Sequence, residues 1–258
     1  MNKHIAIISA LLLLATAAFA DFGDVLCSWD APGEGYCAGV AWDGEYIWCN
    51  KHSTTYQDMM YRCVASNGSV VSSFETVFGN YFRASGICYR LWSGSPCIEA
   101  AVADTLADEY FLYRHNFNGS VVNRLQVHLP GGVGFSSVFY DGQNDWVCEP
   151  NAPRSNAYKI NGGGSAVSSF TVNQPGATYG ITKQGDYFWF PTDSADVYKT
   201  RPNGSVVASF KTIASLHDCT YANKKLWVSF GDEIFCFDVS NAPAVAPASI
   251  GKIKALYR

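Results

Sequence analysis

The tripeptide His217-Asp218-Cys219 is the group of neighbouring side chains with the greatest potential for chemistry in this sequence. A cysteine beside a histidine can be activated as a nucleophile, and the group lies at the start of a predicted strand. The alternative interpretation, which we favour, is that Cys219 is a small buried apolar residue. The four histidines after residue 20 show no metal-ligand spacing. We therefore predict no catalytic residue and no metal site.

Nine cysteines follow residue 20, which is typical of a protein in an oxidising compartment. Because the count is odd, at least one cysteine is unpaired or is bonded to another chain. Cys49 and Cys63 flank one predicted β-hairpin, and Cys88 and Cys97 flank another stretch, so these are the preferred disulfide pairs. No pair has CxxC spacing, so neither a thioredoxin-like redox site nor a zinc knuckle is indicated.

Carboxylates are the remaining candidates for chemistry. Asp43 and Asp141 are each followed by glycine, which indicates hairpin turns in which aspartate is structural. Asp104, Asp108 and Glu109 cluster in a less regular stretch that could face a ligand or bind calcium. Their spacing does not match an EF-hand loop, so calcium is left open and no other cofactor is expected.

The elements that position these residues are defined by an internal repeat. Each copy is a glycine turn followed by a short strand, written NGSVVxSF in its full form. The copies lie at Asn67–Phe74, Asn118–Leu125, Gly163–Phe170 and Asn203–Phe210, with a degenerate copy at Phe22–Trp29. Their last residues are 40 to 51 positions apart, and a period in this range is typical of a propeller blade.

Alignment on these turns predicts a blade of four strands, with an Asp-Gly turn after the first strand and an Asn-Gly turn after the third. The fifth unit, at 218–239, lacks a fourth strand, which Asp24–Trp29 can supply. We therefore predict an all-β fold, a five-bladed β-propeller closed by its N-terminal strand. The alternative is six blades, with the C-terminal tail supplying strands. The recurring tryptophans are interpreted as packing between blades: Trp48, Trp146, Trp189 and Trp227.

The terminal segments and the composition indicate where in or outside the cell the protein is found. Residues 1–20 have a lysine, a short apolar run and an Ala18-Phe19-Ala20 site, so they are predicted to be a bacterial signal peptide cleaved near Ala20. Residues 21–240 form the propeller, and 241–258 form an Ala/Pro-rich linker with a short basic tail. We expect a secreted or periplasmic protein. A net charge of −4 and no transmembrane segment make nucleic acid and membrane insertion unexpected.

The blade pattern G-[VI]-x-W/Y-D-G-x-Y-x-W followed by NGSVVxSF resembles secreted repeat propellers of the NHL and glutamine-cyclotransferase-like groups. The resemblance implies an architecture but no catalytic residues, since propellers serve many functions.

The leading functional hypothesis is a binding or scaffold module for a glycan, peptide or cell-surface component, and an enzyme is not favoured. Its ligand would contact the long loops at 51–57, 91–95 and 149–155. Candidate ligand-binding residues are Tyr56, Trp92, Arg154 and His217. The alternatives are a lyase or glycan hydrolase that uses the central funnel, and a cell-surface structural or adhesin component.

Overall fold

The fold is an all-β ring of five four-stranded antiparallel sheets, so the predicted five-bladed propeller is confirmed and the six-bladed alternative is wrong. The computed structural model describes residues 22–52, 58–76, 82–104, 106–151, 153–212 and 215–240. Among these residues, the helical content is one short 3-10 turn at Pro130–Gly132. The predicted signal peptide and C-terminal tail lie outside the described residues.

Each blade runs from an innermost to an outermost strand. Blade 1 contains β2 (Tyr36–Trp42), β3 (Ile47–His52), β4 (Met59–Cys63) and β5 (Val70–Glu75). Blade 2 contains β6 (Phe82–Trp92), β7 (Ser95–Asp104), β8 (Glu109–His115) and β9 (Val121–Gln126). Blade 3 contains β10 (Ser137–Tyr140), β11 (Asp145–Glu149), β12 (Arg154–Ile160) and β13 (Ala166–Asn173). Blade 4 contains β14 (Thr182–Gln184), β15 (Tyr187–Pro191), β16 (Asp196–Thr200) and β17 (Val206–Lys211). Blade 5 contains β18 (Asp218–Ala222), β19 (Lys225–Phe230), β20 (Glu233–Asp238) and β1 (Val25–Asp30).

The ring closes through the N-terminal strand, as the sequence predicted. Strand β1 pairs antiparallel with β20, the last strand of the described chain. The Ala31 amide donates to the Asp232 carbonyl at 2.6 Å, and the Gly23 amide donates to the Asp238 carbonyl at 2.8 Å. Closure gives the last blade its fourth strand and removes the exposed edge that β20 would otherwise present.

The hairpin turn between the two innermost strands of blade 1 is stabilised by a side chain within the turn itself. Asp43 Oδ1 accepts the amides of Glu45 and Tyr46 at 2.9 and 2.7 Å, and Asp43 Oδ2 accepts Trp48 Nε1 at 2.8 Å. Gly44 has a φ of 105°, a backbone conformation that glycine adopts readily and other residues rarely adopt. The structural role predicted for this aspartate is therefore confirmed.

The predicted long loop at 91–95 is wrong. Trp92 pairs directly with Ser95, so β6 and β7 are joined by the two-residue turn Ser93-Gly94. Both turn residues have positive φ values, 50° and 80°, as in the hairpin turns whose twist matches that of the strands. The polar, glycine-containing composition of this segment is typical of tight turns as well as of longer loops, so composition did not distinguish the two.

The recurring tryptophans pack between neighbouring blades, which confirms their predicted role. Trp48 lies 5.8 Å from Phe74 and 4.7 Å from Phe117, measured between ring centroids. Trp146 similarly packs 4.8 Å from Phe188 of the next blade. Burial of such large rings at each blade junction supplies much of the apolar contact that holds the ring together.

Candidate functional site

Five equivalent positions on the innermost strands meet at the axis of the ring. Strand register aligns them: three are glycines, one is a serine and one is an aspartate, namely Gly39, Gly86, Gly180, Ser137 and Asp218. Because the glycines have no side chain, the innermost strands approach closely. A Cβ added at Gly86 would lie 2.6 Å from Ser137 Cα, and one added at Gly180 would lie 2.8 Å from Asp218 Cα.

The Asp218 carboxylate occupies this axis and binds groups from other blades. Its Oδ2 accepts the amides of Val40 and Ile87, both at 3.0 Å, and its Oδ1 accepts the Ser137 hydroxyl at 2.7 Å. The Ser137 hydroxyl oxygen in turn accepts the Ile181 amide at 3.3 Å. This network joins all five blades and fills the position where the predicted funnel would have continued.

Burial determines the chemistry of Asp218 and Cys219 in the His217-Asp218-Cys219 tripeptide. Asp218 is fully buried, and its pKa is raised to about 8 by burial, against the effect of its hydrogen-bond donors. Burial also raises the pKa of the Cys219 thiol well above its usual value, and Cys219 Sγ donates to the Trp189 carbonyl at 3.8 Å. A protonated, buried thiol is a poor nucleophile, so the interpretation of Cys219 as a packing residue is confirmed.

Above this closed axis, aromatic and imidazole rings from three blades converge at one mouth. His217 lies immediately before β18, and its ring centroid is 5.7 Å from that of Tyr36 and 6.4 Å from that of Tyr179. Tyr36 is also 5.1 Å from His52, and 42% of its surface is exposed. We call these four residues the ring cluster. Burial lowers the pKa of His217, so its imidazole is neutral at pH 7.

His52 is held in position by an acidic neighbour. Its Nδ1 lies 2.6 Å from Asp58 Oδ1, a hydrogen bond that fixes the orientation of the imidazole ring. Asp58 Oδ2 accepts the Ala84 amide at 3.1 Å, which ties the pair to blade 2. Both side chains are buried. The pair therefore holds the His52 imidazole in a fixed orientation, an arrangement that suits proton transfer.

A cavity of about 270 Å³ opens on the same face, at the junction of blades 2 and 3. It is lined by Tyr110, Val133, Gly134, Phe135, Glu149, Pro150 and Asn151. Glu149 is buried, accepts a hydrogen bond from Asn151, and at Oε2 accepts Asn156 Nδ2 and the Tyr158 hydroxyl at 2.8 and 2.9 Å. Burial, followed by the Glu149 interaction, raises the pKa of Tyr158 to about 12. The cavity thus combines aromatic walls with one fixed carboxylate.

The structure divides the predicted ligand-binding residues between the two faces of the ring. His217 precedes β18 and Arg154 begins β12, so both lie on the face of the ring cluster. Trp92 ends β6, on the opposite face. Tyr56 lies outside the described residues. The sequence did not indicate Tyr36, His52, Asp58 or Tyr179, although the position of Tyr179 relative to Gly180 matches that of His217 relative to Asp218.

On the opposite face, Trp92 covers a buried group of charges. Glu99 stands where the other four blades have their tryptophan, and Arg114 Nε donates to Glu99 Oε1 at 2.6 Å. Arg114 Nη2 also donates to Asp145 Oδ2 at 2.9 Å, and Arg90 donates to both carboxylates. The Trp92 ring lies 4.0 Å from the Arg114 guanidinium. Burial and then the Glu99 charge raise the pKa of Asp145 to about 7. This group joins blades 2 and 3.

The predicted disulfide pairs are diagonal neighbours. Cys49 is opposite Tyr61 while Cys63 is opposite Ile47, and in blade 2 Cys88 is opposite Glu99 while Cys97 is opposite Arg90. Diagonal residues on adjacent strands lie further apart than directly opposite residues do. All nine cysteines are free thiols in this structure, so formation of these two bonds stays a prediction.

The described part of the chain contains neither a metal-binding group of side chains nor a helix that could span a membrane. No group of three or more His, Cys, Asp or Glu side chains is placed there to hold a metal ion. Asp104 Oδ1 accepts the amides of Leu106 and Ala107 at 3.0 and 3.1 Å, and Asp108 accepts the Tyr110 hydroxyl. These contacts do not test calcium binding at this stretch, which stays open. Residues 22–52, 58–76, 82–104, 106–151, 153–212 and 215–240 include no helix long and apolar enough to span a bilayer.

These features define the chain as a five-bladed β-propeller with a closed axis, and its fold is similar to that of several known structures. Glutaminyl cyclase of Myxococcus xanthus superposes with a TM-score of 0.61 at 9% identity, covering 83% of this chain and 95% of that one. A chain of the nidogen/laminin complex gives 0.54 at 13% identity over 81% and 78% of the chains. Raptor of Chaetomium thermophilum gives 0.53 at 7% identity, over 91% of this chain but only 30% of that one.

The resemblance to glutamine-cyclotransferase-like propellers is therefore confirmed for the fold. At these identities the likeness extends to the fold alone. No family model matches the sequence, and no curated protein is similar to it.

Proposed function

We propose that this protein is a ligand-binding module that recognises a glycan or peptide on the face of the ring cluster. The observation that supports this most directly is the convergence of Tyr36, His52, Tyr179 and His217 from three blades above a closed axis. Residues that come from separate blades are held at fixed spacing by the rigid ring. A preformed group of aromatic faces and polar edges is typical of binding sites.

The closed axis limits how a ligand can bind. Because Asp218 and the axial glycines fill the centre of the ring, a ligand rests on the mouth and does not enter a channel. Sugar rings and peptide side chains can lie flat against Tyr36 and Tyr179 while their polar groups reach the imidazoles. The cavity beside Glu149 on the same face offers a second contact. The signal peptide proposed for residues 1–20 would place this activity outside the cytoplasm.

A glycan and peptide array with the purified protein is the first experiment, followed by affinity measurements on variants. We expect Tyr36→Ala combined with His217→Ala to weaken binding of the array ligand at least 10-fold. Tyr187→Ala is a matched control, because Tyr187 begins β15 and lies at the hairpin end of blade 4, on the opposite face. Equal affinity of the double variant and the control would refute the assignment of this mouth.

An enzyme that uses the same mouth is the second candidate, and the His52–Asp58 pair favours it. Titratable groups from separate blades converge there. Asp58 orients His52, as an acidic residue orients the histidine that acts as a general base in many enzymes. Imidazole and phenol groups suit abstraction of a proton next to a carboxylate, the first step of elimination by a lyase. A glycan hydrolase would instead require two opposed carboxyl groups.

Turnover distinguishes the two candidates. Incubation of the array ligand with the protein, followed by mass spectrometry, would detect an unsaturated elimination product. If the protein is a lyase, His52→Gln should abolish product formation while affinity for the ligand falls less than 10-fold. Intact ligand after prolonged incubation with the wild-type protein would exclude this activity and leave the binding module.

A further inference from the structure

Strand β1 and strand β20 carry cysteines directly opposite each other at the closure of the ring. Cys27 is in register with Cys236, and their side chains are in hydrogen-bond contact. Directly opposite residues in an antiparallel pair have Cα atoms about 4.5–5.5 Å apart, which lies within the range of about 4.4–6.8 Å that disulfides span. The Cys49 side chain also contacts Cys63 and Cys37, but Cys49 and Cys63, like Cys88 and Cys97, are diagonal and not directly opposite.

Accessibility also distinguishes this pair. Cys27 lies on an outermost strand and is partly exposed, while the other eight cysteines are buried. The hydrogen bond with Cys236, with a smaller contribution from Lys225, lowers the pKa of Cys27 to about 7. This lowering favours the thiolate form of Cys27, and the thiolate is the reactive form.

We propose that Cys27 and Cys236 are a modification site at which a disulfide bond covalently closes the propeller. The co-reactant is a disulfide, either a low-molecular-weight one or that of an oxidising enzyme. The Cys27 thiolate attacks one sulfur of this disulfide, forming a mixed disulfide and releasing one thiolate. Cys236 then loses its proton and attacks Cys27 sulfur, which releases the second thiolate. Two protein thiols are oxidised to one disulfide, and one disulfide is reduced to two thiols.

The bond would have a large effect because of where it lies. It closes a loop of roughly 210 residues, nearly the whole propeller, and stabilisation by a disulfide grows with the length of the closed loop. It would also hold β1, which reaches its blade from the other end of the chain. Detachment of β1 opens the ring, so the bond acts on the step that separates the first and last blades.

Peptide mapping of the purified protein tests the proposal. The protein is first incubated with oxidised glutathione, alkylated without reduction, digested and analysed by mass spectrometry. We expect a cross-linked peptide pair that contains Cys27 and Cys236. We also expect the melting temperature to fall by about 5–15 °C on reduction. Alkylated Cys27 and Cys236, or a bond from either one to another cysteine, would overturn the proposal.

A matched variant separates the bond from a general effect of reduction. The double variant Cys27→Ser/Ser28→Cys keeps nine cysteines but moves one thiol to the opposite side of β1, where it faces away from Cys236. We expect this variant to give no cross-linked pair, and its melting temperature to change on reduction by less than a third of the wild-type shift. An equal shift in both proteins would show that another bond is responsible. If the variant does not fold, the wild-type map alone decides.

Discussion

Removal of the Asp218 carboxyl group leaves three donors from three other innermost strands without an acceptor. In Asp218→Ala, the amides of Val40 and Ile87 and the hydroxyl of Ser137 lose their shared partner. All three residues are at most 1% exposed, so bulk water does not replace the lost carboxylate. The variant therefore tests directly whether the axis holds the blades together.

The expected cost follows from the number of orphaned donors. A buried donor that loses its partner costs about 1–3 kcal/mol, so three donors should lower the free energy of unfolding by about 3–9 kcal/mol. A domain of this kind is stable by roughly 5–15 kcal/mol, so the variant should approach the limit of stability. A trapped water molecule in the vacated space would place the result at the lower end of this range.

Urea unfolding followed by tryptophan fluorescence, at pH 6 with a reducing agent, measures this cost. Asp141→Ala is a matched control, because Asp141 also accepts three donors: the amides of Gln143 and Asn144 and the indole of Trp146. Those donors belong to a half-buried hairpin within one blade, so we expect a loss of about 1 kcal/mol. If Asp218→Ala costs no more than Asp141→Ala, the carboxylate does not connect the blades and the reasoning is refuted.

Three further predictions concern the same interior. Because the pKa of Asp218 is about 8 in the fold and about 4 in an unfolded chain, folding takes up a proton between these values, and the free energy of unfolding should fall as pH rises from about 4 to 8. Asp218→Asn, which cannot ionise, should flatten this dependence in urea titrations at several pH values; an unchanged slope would contradict the assignment. Gly86→Ala places a Cβ 2.6 Å from Ser137 Cα and should lower the free energy of unfolding by about 1–3 kcal/mol. Gly94→Ala is the control: its Cβ meets open space, so the variant measures only the cost of backbone strain at a positive φ of 80°. Glu99→Gln removes a buried carboxylate between two guanidinium groups and should cost about 3–5 kcal/mol in the same assay; a loss below 1 kcal/mol would show that the charges are not coupled.

The repeat made much of the fold predictable. Glycine turns such as Asn203-Gly204 and hairpin signals such as Asp43-Gly44 are local, because a turn depends on the conformations of the two or three residues that form it. Since each blade is one such unit, the period predicted the blade count. The missing fourth strand of the last unit and the unmatched strand at 24–29 predicted the closure.

The face on which a side chain lies required the register of several strands. Trp92 and Arg154 both looked like loop residues, yet one ends an innermost strand and the other begins a third strand, so they lie on opposite faces of the ring. Ser93-Gly94 has the composition of a loop and forms a two-residue turn. A sequence read locally does not indicate which ends of antiparallel strands share a face when the strand boundaries are uncertain.

The repeated blade, the number of blades and the packing role of the tryptophans are predictable from the sequence alone. Three features are visible only in the folded ring: Asp218 stands among glycines at the axis, His52 contacts Asp58, and Cys27 lies opposite Cys236. Local signals act over a few residues, so the chain carries them in every copy of the repeat. Contacts between blades and the pairing that closes the ring join residues up to about 210 positions apart, and their geometry exists only after the ring has closed.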